Sequence, residues 1–300
     1  MTAIRVSGLR KSYAGLEAVR GIDFEVAEGD VLALLGPNGA GKTTTVEILE
    51  GYRQRSGGSV EVLGMDPEHG GRRFRERIGI VLQTSAIEPF LDVEEILRQR
   101  ASWYPRPADP DEILALVGLE AERRTRIRRL SGGQQRRLDL ALALVGDPDL
   151  IFLDEPTTGF DPSARRGAWQ IIRALCARGR TVLLTTHYMD EAQELADRVI
   201  VIANGEVVAD GPPETLGGRD RAPALIRFQL PERASLAELP LAATLDGDVV
   251  TVETTSPTRD MHALTGWALD RRVELAGLAL SRPSLEDVYL HLAGGDEAAS

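Results

Sequence analysis

Cysteine and lysine are scarce in this chain, and no long apolar stretch interrupts its polar sequence. Cys176 is the only cysteine, which excludes an intrachain disulfide and a cysteine metal cluster and suits a reducing compartment. Because no apolar run is long enough to span a bilayer, we expect any connection to a membrane to come through a partner. The formal net charge of −11 argues against a broad nucleic-acid surface, since clustered Lys and Arg hold phosphate backbones.

Residues 31 to 44 carry the clearest chemical pattern. Five apolar residues lead into a segment that fits the phosphate-binding pattern G-x-x-x-x-G-K-[ST], with a predicted strand before it and a helix after it. The pattern comprises Gly36, Pro37, Asn38, Gly39, Ala40, Gly41, Lys42 and Thr43, and Thr44 is a further predicted binding residue. Its glycines turn backbone N–H groups toward an anion, Lys42 reaches the β and γ phosphates, and Thr43 offers a hydroxyl to Mg²⁺. The predicted ligand is therefore a nucleoside triphosphate.

The distribution of lysine supports this interpretation. Of 35 Lys and Arg residues, only Lys11 and Lys42 are lysines, so the sequence uses arginine almost everywhere else but keeps lysine in the phosphate loop. A compact ammonium fits inside a phosphate cradle that a planar guanidinium would crowd.

Around this loop, the sequence predicts strands and a helical insertion. Residues 3 to 30 alternate apolar and polar positions, as in antiparallel strands, and Tyr13 lies among them. Its ring either stacks on a purine or packs locally, and both possibilities stay open. Gln83 ends the predicted strand at 78 to 82, where ligands bind in α/β sheets. Residues 88 to 147 predict a helical insertion, with helix starts at Asp92, Pro110 and Ser131.

The last of these helices opens on Ser131, Gly132, Gly133 and Gln134. A serine and two glycines at a helix N-terminus form an anion cradle, because the backbone N–H groups are free and no side chain blocks approach. Alone, the segment predicts an ordinary helix cap. Beside a phosphate loop, it becomes a candidate contact to the γ-phosphate.

Three further polar side chains follow apolar strands. The run at 150 to 153 ends in Asp154 and Glu155, as in a central parallel strand that delivers carboxylates to its carboxyl edge. Asp154 can hold Mg²⁺ through its water shell, and Glu155 can accept a proton from the water that attacks the γ-phosphate. The strand at 181 to 186 is followed by His187, for which we predict a role at the same edge.

In order and spacing, the phosphate loop, the LSGGQ segment at 130 to 134 and the LDEP segment at 153 to 156 resemble the ATP-binding subunits of ABC transporters. The resemblance covers residues 1 to 220 and implies an α/β P-loop ATPase fold with a parallel core sheet, an antiparallel β subdomain and a helical insertion. It implies that the ligand is ATP with Mg²⁺ and that Tyr13 stacks on adenine. It implies that Gln83 senses the metal and γ-phosphate, that His187 positions the γ-phosphate and the attacking water, and that Asp161 communicates across a dimer.

Three shorter segments resemble one group within this family. The segments at 47 to 58, 153 to 166 and 282 to 289 look like those of multidrug and antibiotic exporter ATPases, whose membrane-spanning subunit is a separate chain. We therefore expect a peripheral export ATPase on the cytoplasmic face of the membrane, with its coupling surface near residues 83 to 97. Because one chain holds two anion cradles, we expect a head-to-tail homodimer in which each ATP lies between residues 36 to 44 of one copy and 131 to 134 of the other.

Two other functions share these motifs. A soluble ABC-type ATPase acting on nucleic acid or ribosomes is disfavoured by the acidic charge and by the lack of long coiled coils, zinc modules or a second cassette. An import ATPase is disfavoured only by the C-terminal segment at 282 to 289 and by the exporter-like sequences at 47 to 58 and 153 to 166.

Length and composition allow a large and a small domain, each with its own core. We expect a nucleotide-binding domain at 1 to 220 and a C-terminal α+β module at 221 to 300. The module's predicted order is strand (224 to 230), short helix, two strands around Asp246, helix (258 to 270), strand (275 to 280) and helix (284 to 292). That order is compatible with a ferredoxin-like sandwich, and the module shows no ligand motif.

Overall fold

The computed structural model describes residues 1–82, 87–231 and 234–294. The chain forms two compact units, Met1–Pro213 and Glu214–Ser300. Among the helices of the described ranges, none combines the length and the apolar character that a membrane crossing requires.

The strands of the first unit are β1 (Thr2–Tyr13), β2 (Leu16–Ala27), β3 (Val31–Leu35), β4 (Gly57–Val62), β5 (Ile78–Val81), β6 (Leu150–Asp154), β7 (Thr181–Thr185), β8 (Arg198–Ala203) and β9 (Glu206–Gly211). Its helices are α1 (Lys42–Leu49), α2 (Gly71–Arg75), α3 (Val93–Ala101), α4 (Pro110–Val117), α5 (Gly132–Leu144), α6 (Pro162–Ala177) and α7 (Met189–Leu195). The predicted helical insertion is present as α3, α4 and α5, which lie between β5 and β6.

The main sheet has the strand order β5-β6-β7-β3-β8-β9, parallel except for β9. Every residue of β3 and β7 is buried, as expected for apolar runs at the centre of a sheet that is covered on both faces. Thr185 of β7 pairs with Leu34 on one side and with Asp154 on the other. The register therefore brings the carboxyl ends of β3, β6 and β7 together at one edge, where α/β sheets bind ligands.

A second sheet of three antiparallel strands, in the order β2-β1-β4, confirms the alternating pattern predicted for residues 3 to 30. Its inward residues, such as Ile4 and Phe24, share a core cluster with Leu32, Phe152 and Ile200 of the main sheet. One apolar core thus holds the two sheets of the first unit together.

Side chains set the helix boundaries of the insertion. Asp92 caps α3 in a capping box with Glu95, and Asp109 caps α4 just before Pro110. Gly118 ends α4 in the left-handed region at φ 66°, a conformation that glycine adopts at little cost. The helix starts predicted at Asp92, Pro110 and Ser131 are therefore confirmed.

The second unit contains β10 (Ala224–Gln229), β11 (Thr244–Asp246), β12 (Val249–Thr254), α8 (Pro257–Arg271), β13 (Ala279–Ser281) and α9 (Leu285–Gly294). Its sheet has the antiparallel order β11-β12-β10-β13, the strand arrangement of a ferredoxin-like sandwich. The short helix after β10 is a single 3₁₀ turn, Leu236–Glu238. The strand predicted at 275 to 280 is wrong in extent, because Gly277 at φ 68° forms a turn and leaves only three strand residues.

Candidate active site

The phosphate loop joins β3 to α1 and has two positions that only glycine fits. A Cβ on Gly36 would lie 2.2 Å from the carbonyl oxygen of Ile202, and one on Gly41 would lie 2.5 Å from that of Ala18. Gly41 also has φ 103°, a region that L side chains rarely adopt. The loop is therefore held closely against β8 and β2, while Pro37, Asn38 and Gly39 face solvent at its tip.

Lys42 folds back over this loop. Its Nζ donates to the carbonyl oxygens of Gly36 at 2.6 Å and Pro37 at 3.0 Å. Burial lowers the pKa of Lys42, although the carboxylates of Asp154 and Glu155 oppose that effect. In the described structure no side chain caps α1, so the N–H groups at its first turn, which includes Thr43 and Thr44, stay available to a ligand held in the phosphate loop. Together these groups form a cradle for phosphate.

Asp154 ends β6 and is oriented by the neighbouring strand. Thr185 Oγ1 donates to Asp154 Oδ1 at 2.5 Å. The Asp154 carboxylate and the Thr43 hydroxyl are oxygen ligands of the kind that Mg²⁺ prefers. Residues 1–82, 87–231 and 234–294 contain no cluster of three or more His, Cys, Asp or Glu suited to a metal. Mg²⁺ fits such a site, because it takes one or two protein ligands and completes its shell with phosphate and water.

Glu155 contacts His187 at the same edge of the sheet. The distance between His187 Nδ1 and Glu155 Oε1 is 3.2 Å, and Thr158 Oγ1 donates to Glu155 Oε2 at 3.1 Å. The backbone of Glu155 is strained at φ 47°, and its N–H is held by Thr185. The strain turns the chain away from β6, so that Asp154 and Glu155 have different partners. A positioned carboxylate beside an imidazole can accept a proton from water.

The segment from Ser131 to Gln134 is a capping box at the start of α5. Ser131 Oγ accepts a hydrogen bond from the Gln134 N–H, and Gln134 Oε1 accepts one from the Ser131 N–H. Glu122 fixes the other end of the Gln134 amide at 2.9 Å. A Cβ on Gly132 or Gly133 would meet no described atom within 4 Å, so this helix start is open. Among the described hydrogen bonds and ion pairs, none joins residues 131–134 to residues 36–44.

Three predicted residues lie outside this cluster or outside the description. Asp161 caps α6, and its carboxylate accepts hydrogen bonds from the N–H groups of Ser163 and Ala164. Tyr13 ends β1, with Lys11 Nζ 5.1 Å and Arg53 Cζ 5.3 Å from the centre of its ring. Gln83 lies outside the described residues.

Three side chains that orient the predicted site residues could not be identified from the sequence. Thr185 orients Asp154, Thr158 donates to Glu155, and Glu122 fixes Gln134. Only strand register and tertiary packing reveal these contacts. An isolated threonine or a surface glutamate has no recognisable pattern in the sequence.

Glu50 is a buried carboxyl close to this site. Burial raises its pKa to about 8, with smaller contributions from the carboxylates of Asp154 and Glu47. It lines a groove of about 320 Å³ that also includes Tyr52, Ile78, Ile80, Leu82, Ile87, Arg75, Arg100, Tyr104, Asp139 and Leu142. Apolar and charged side chains therefore line this groove together, beside a carboxyl that is mostly protonated at neutral pH.

Folding stability should fall as pH rises across the range in which only the folded chain keeps the Glu50 proton. That range runs from the ordinary value of 4.5 to about 8. This difference in pKa corresponds to a change in the free energy of unfolding on the order of 5 kcal/mol over that pH range. Glu50→Gln should remove this contribution, so its advantage over wild type in free energy of unfolding should grow from pH 5 to pH 8. Urea unfolding at both pH values measures the difference, and a constant difference would mean that Glu50 is ionised in the folded chain.

Each of the two units matches a known family model. The family model described as ABC transporter matches residues 19–158. The model described as ABC transporter domain-containing protein-like, C-terminal domain, matches residues 224–284.

Similar proteins match nearly the whole chain. The daunorubicin resistance ATP-binding protein DrrA3 of Streptomyces coeruleorubidus is 40% identical over 316 residues, covering 98% of this chain and 97% of that protein. The Nod factor export ATP-binding protein I of Paraburkholderia xenovorans is 37% identical over 302 residues, covering 97% of each. Among solved structures, cbiO1 from Clostridium perfringens, part of the ABC transporter complex cbiONQ, has a TM-score of 0.65 at 29% identity. That match covers 71% of this chain and 89% of that chain.

Proposed function

Because the chain belongs to the ATP-binding proteins of ABC transporters, which are ATPases coupled to transport, we propose that it powers export of a small molecule through a separate membrane-spanning subunit. The observation that carries the hydrolytic part is the contact of Glu155 with His187 beside Lys42 and Asp154. The relatives named for daunorubicin resistance and Nod factor export support the direction of transport.

For the site residues we propose the roles that the sequence predicted. Lys42 and the N–H groups of residues 36 to 44 bind the β and γ phosphates, and Tyr13 stacks on adenine. Thr43, Asp154 and Gln83 hold Mg²⁺, which neutralises phosphate charge when bound. Glu155 accepts a proton from the attacking water, and His187 positions that water and the γ-phosphate.

A second copy completes each site. The open helix start at Ser131, Gly132, Gly133 and Gln134 has no described bond to the phosphate loop of its own chain. Its capping box engages the N–H groups of Ser131 and Gln134, and the N–H groups of Gly132 and Gly133 suit a γ-phosphate. We assign it to the phosphate loop of a partner copy in a head-to-tail homodimer, with Asp161 at the same interface. Nucleotide binding belongs to the first unit, and the second unit is an accessory α+β module.

The groove beside Glu50 is the proposed docking surface for the membrane subunit. Tyr52 and Leu82 are large side chains that expose 68% and 48% of their surface there, and exposed apolar patches commonly mark interaction sites. Leu82 lies just before the stretch at 83 to 97 in which the coupling surface was expected, and Ile87 lies within it. Docking there would place the chain peripherally on the cytoplasmic face of the membrane. A reading frame for an apolar multi-span protein beside this gene would support the exporter assignment over a soluble nucleic-acid or ribosome ATPase.

Nucleotide binding is tested at Lys42. Adding Mg²⁺ and ATP should raise the unfolding temperature of the wild-type chain, because ligands stabilise the folded state that binds them. Lys42→Ala should lose this shift, and Lys42→Arg should recover little of it, since a guanidinium crowds the cradle. Differential scanning fluorimetry measures all three, and a normal shift in Lys42→Ala would exclude the phosphate loop as the binding site.

A further inference from the structure

Glu191 is a fully buried glutamate that the proposed chemistry does not use. It lies on α7, which packs against α6 through three polar contacts. Arg165 pairs with Asp190 at 3.0 Å, and Arg173 pairs with Glu194. The third contact is a hydrogen bond of 3.1 Å from Trp169 Nε1 to Glu191 Oε1. The pair matters for the site, because α6 is capped by Asp161 and α7 begins shortly after His187.

The second oxygen of Glu191 is buried without a hydrogen bond. Among the described residues, neither Glu191 Oε2 nor the buried hydroxyl of Thr157 has a hydrogen-bond partner. Burial raises the pKa of Glu191, and hydrogen-bonding interactions with the hydroxyls of Thr186 and Thr157 and with Trp169 oppose that shift. Both hydroxyls therefore lie close to the carboxylate, although Oε2 forms no well-aligned hydrogen bond. An unbonded donor thus lies close to an unbonded acceptor in a dry environment, where leaving either one unpaired is unfavourable.

The neighbours of this carboxylate belong to the two segments that carry the hydrolytic groups. Thr157 lies in the turn between Glu155 and Asp161, and Thr186 immediately precedes His187. The contact between Glu155 and His187 depends on how these two segments are placed relative to each other. A bond from one of them to Glu191 would restrict that placement.

We propose that Glu191 is a positioning residue for hydrolysis, which fixes the turn after Glu155 against α7, the helix that follows His187, through a hydrogen bond that Thr157 donates to Glu191 Oε2. This inference rests on the proposed ATPase function and adds two residues outside the nucleotide site. In the structure the two groups lie close together without a well-aligned hydrogen bond, so an arrangement that aligns them is favoured by the stronger bond. In that arrangement, the bond between Thr157 and Glu191 would hold Glu155 and His187 in alignment for hydrolysis.

Thr157→Val provides the sharpest test, because valine keeps the shape of threonine and removes only the hydroxyl. Replacing an unbonded buried hydroxyl should leave the unfolding temperature unchanged or raise it. The kcat for ATP should nevertheless fall by roughly 10-fold with little change in KM, since one aligning hydrogen bond is lost at the hydrolytic step. Thr157→Ser keeps the hydroxyl and should restore kcat.

Two variants of α7 complete the experiment. Glu191→Ala should lower kcat at least as much as Thr157→Val, while Glu191→Gln should retain more activity because its amide still bonds with Trp169 and Thr157. Glu194→Gln is the matched control: it lies on the same helix, pairs with α6 through Arg173 and is partly exposed. Its kcat should equal that of the wild type.

The outcomes separate this inference from the proposed function. If wild type hydrolyses ATP and Thr157→Val has the same kcat, the positioning role is overturned while the ATPase function stands. If Thr157→Val and Thr157→Ser both lose turnover together with unfolding temperature, Thr157 is structural and the inference also falls. Absence of hydrolysis by the wild-type chain would overturn the proposed function and this inference together.

Discussion

Glu155→Gln should bind ATP normally while its hydrolysis slows by roughly 10²- to 10⁴-fold, because the amide cannot accept a proton from the attacking water. The structure makes the substitution conservative. The amide oxygen of glutamine can still accept the hydrogen bond from Thr158, and its side chain still reaches His187. Phosphate release at steady state measures turnover, and a filter assay for retained nucleotide measures binding. Slow hydrolysis should also prolong the nucleotide-bound dimer.

Glu120→Gln is the matched control, since Glu120 is an exposed glutamate in the helical insertion. It should hydrolyse ATP at the wild-type rate. Near-normal turnover in Glu155→Gln would instead assign the proton-accepting role to His187, the side chain in contact with it.

Structural features formed by residues that are adjacent in the chain could be predicted from the sequence. The phosphate loop is one segment, and close contacts to Ile202 and Ala18 require glycine at Gly36 and Gly41, two positions that the pattern itself specifies. Helix starts at Asp92 and Ser131 were equally accessible, because a capping box spans only four residues. Gln134 shows the limit of this approach. Its side chain serves the helix cap and Glu122, a contact that the LSGGQ motif alone does not indicate.

Features that depend on distant pairing could not be predicted. The alignment of Thr185 with Asp154 follows from the register between β6 and β7, and the burial of Glu50 and Glu191 follows from packing. Local apolar content also misled the prediction for residues 275 to 280, where one glycine turn outweighs a β-like pattern. The catalytic and binding roles of the site residues stay predictions until they are tested by substitution.

A mixed dimer of Lys42→Ala and Ser131→Arg chains should recover activity that neither variant has alone. In a head-to-tail dimer the two defects fall in the same site, because the damaged phosphate loop faces the damaged helix start. The other site then receives an intact copy of each. If chains mix at random, about half of the dimers are mixed and each keeps one working site, so activity should reach about a quarter of wild type.

The structure suggests a second variant that guards against a folding defect. Ser131 caps α5, and losing that cap costs about 1 kcal/mol, so Ser131→Arg changes the helix as well as the anion cradle. Ser131→Asp keeps a capping oxygen and places a negative charge where the γ-phosphate would lie. It should therefore be inactive alone, remain folded by thermal unfolding, and complement Lys42→Ala to the same extent.

Cooperation between the two sites would lower the recovered turnover, so nucleotide trapping should be measured in the same samples. Trapping reports occupancy of the intact site even when coupled turnover is slow. Mixed dimers can be isolated with two different affinity tags. If isolated mixed dimers neither hydrolyse nor trap ATP, each nucleotide is handled within a single chain. The open helix start at Gly132 and Gly133 must then serve some purpose other than a partner's phosphate.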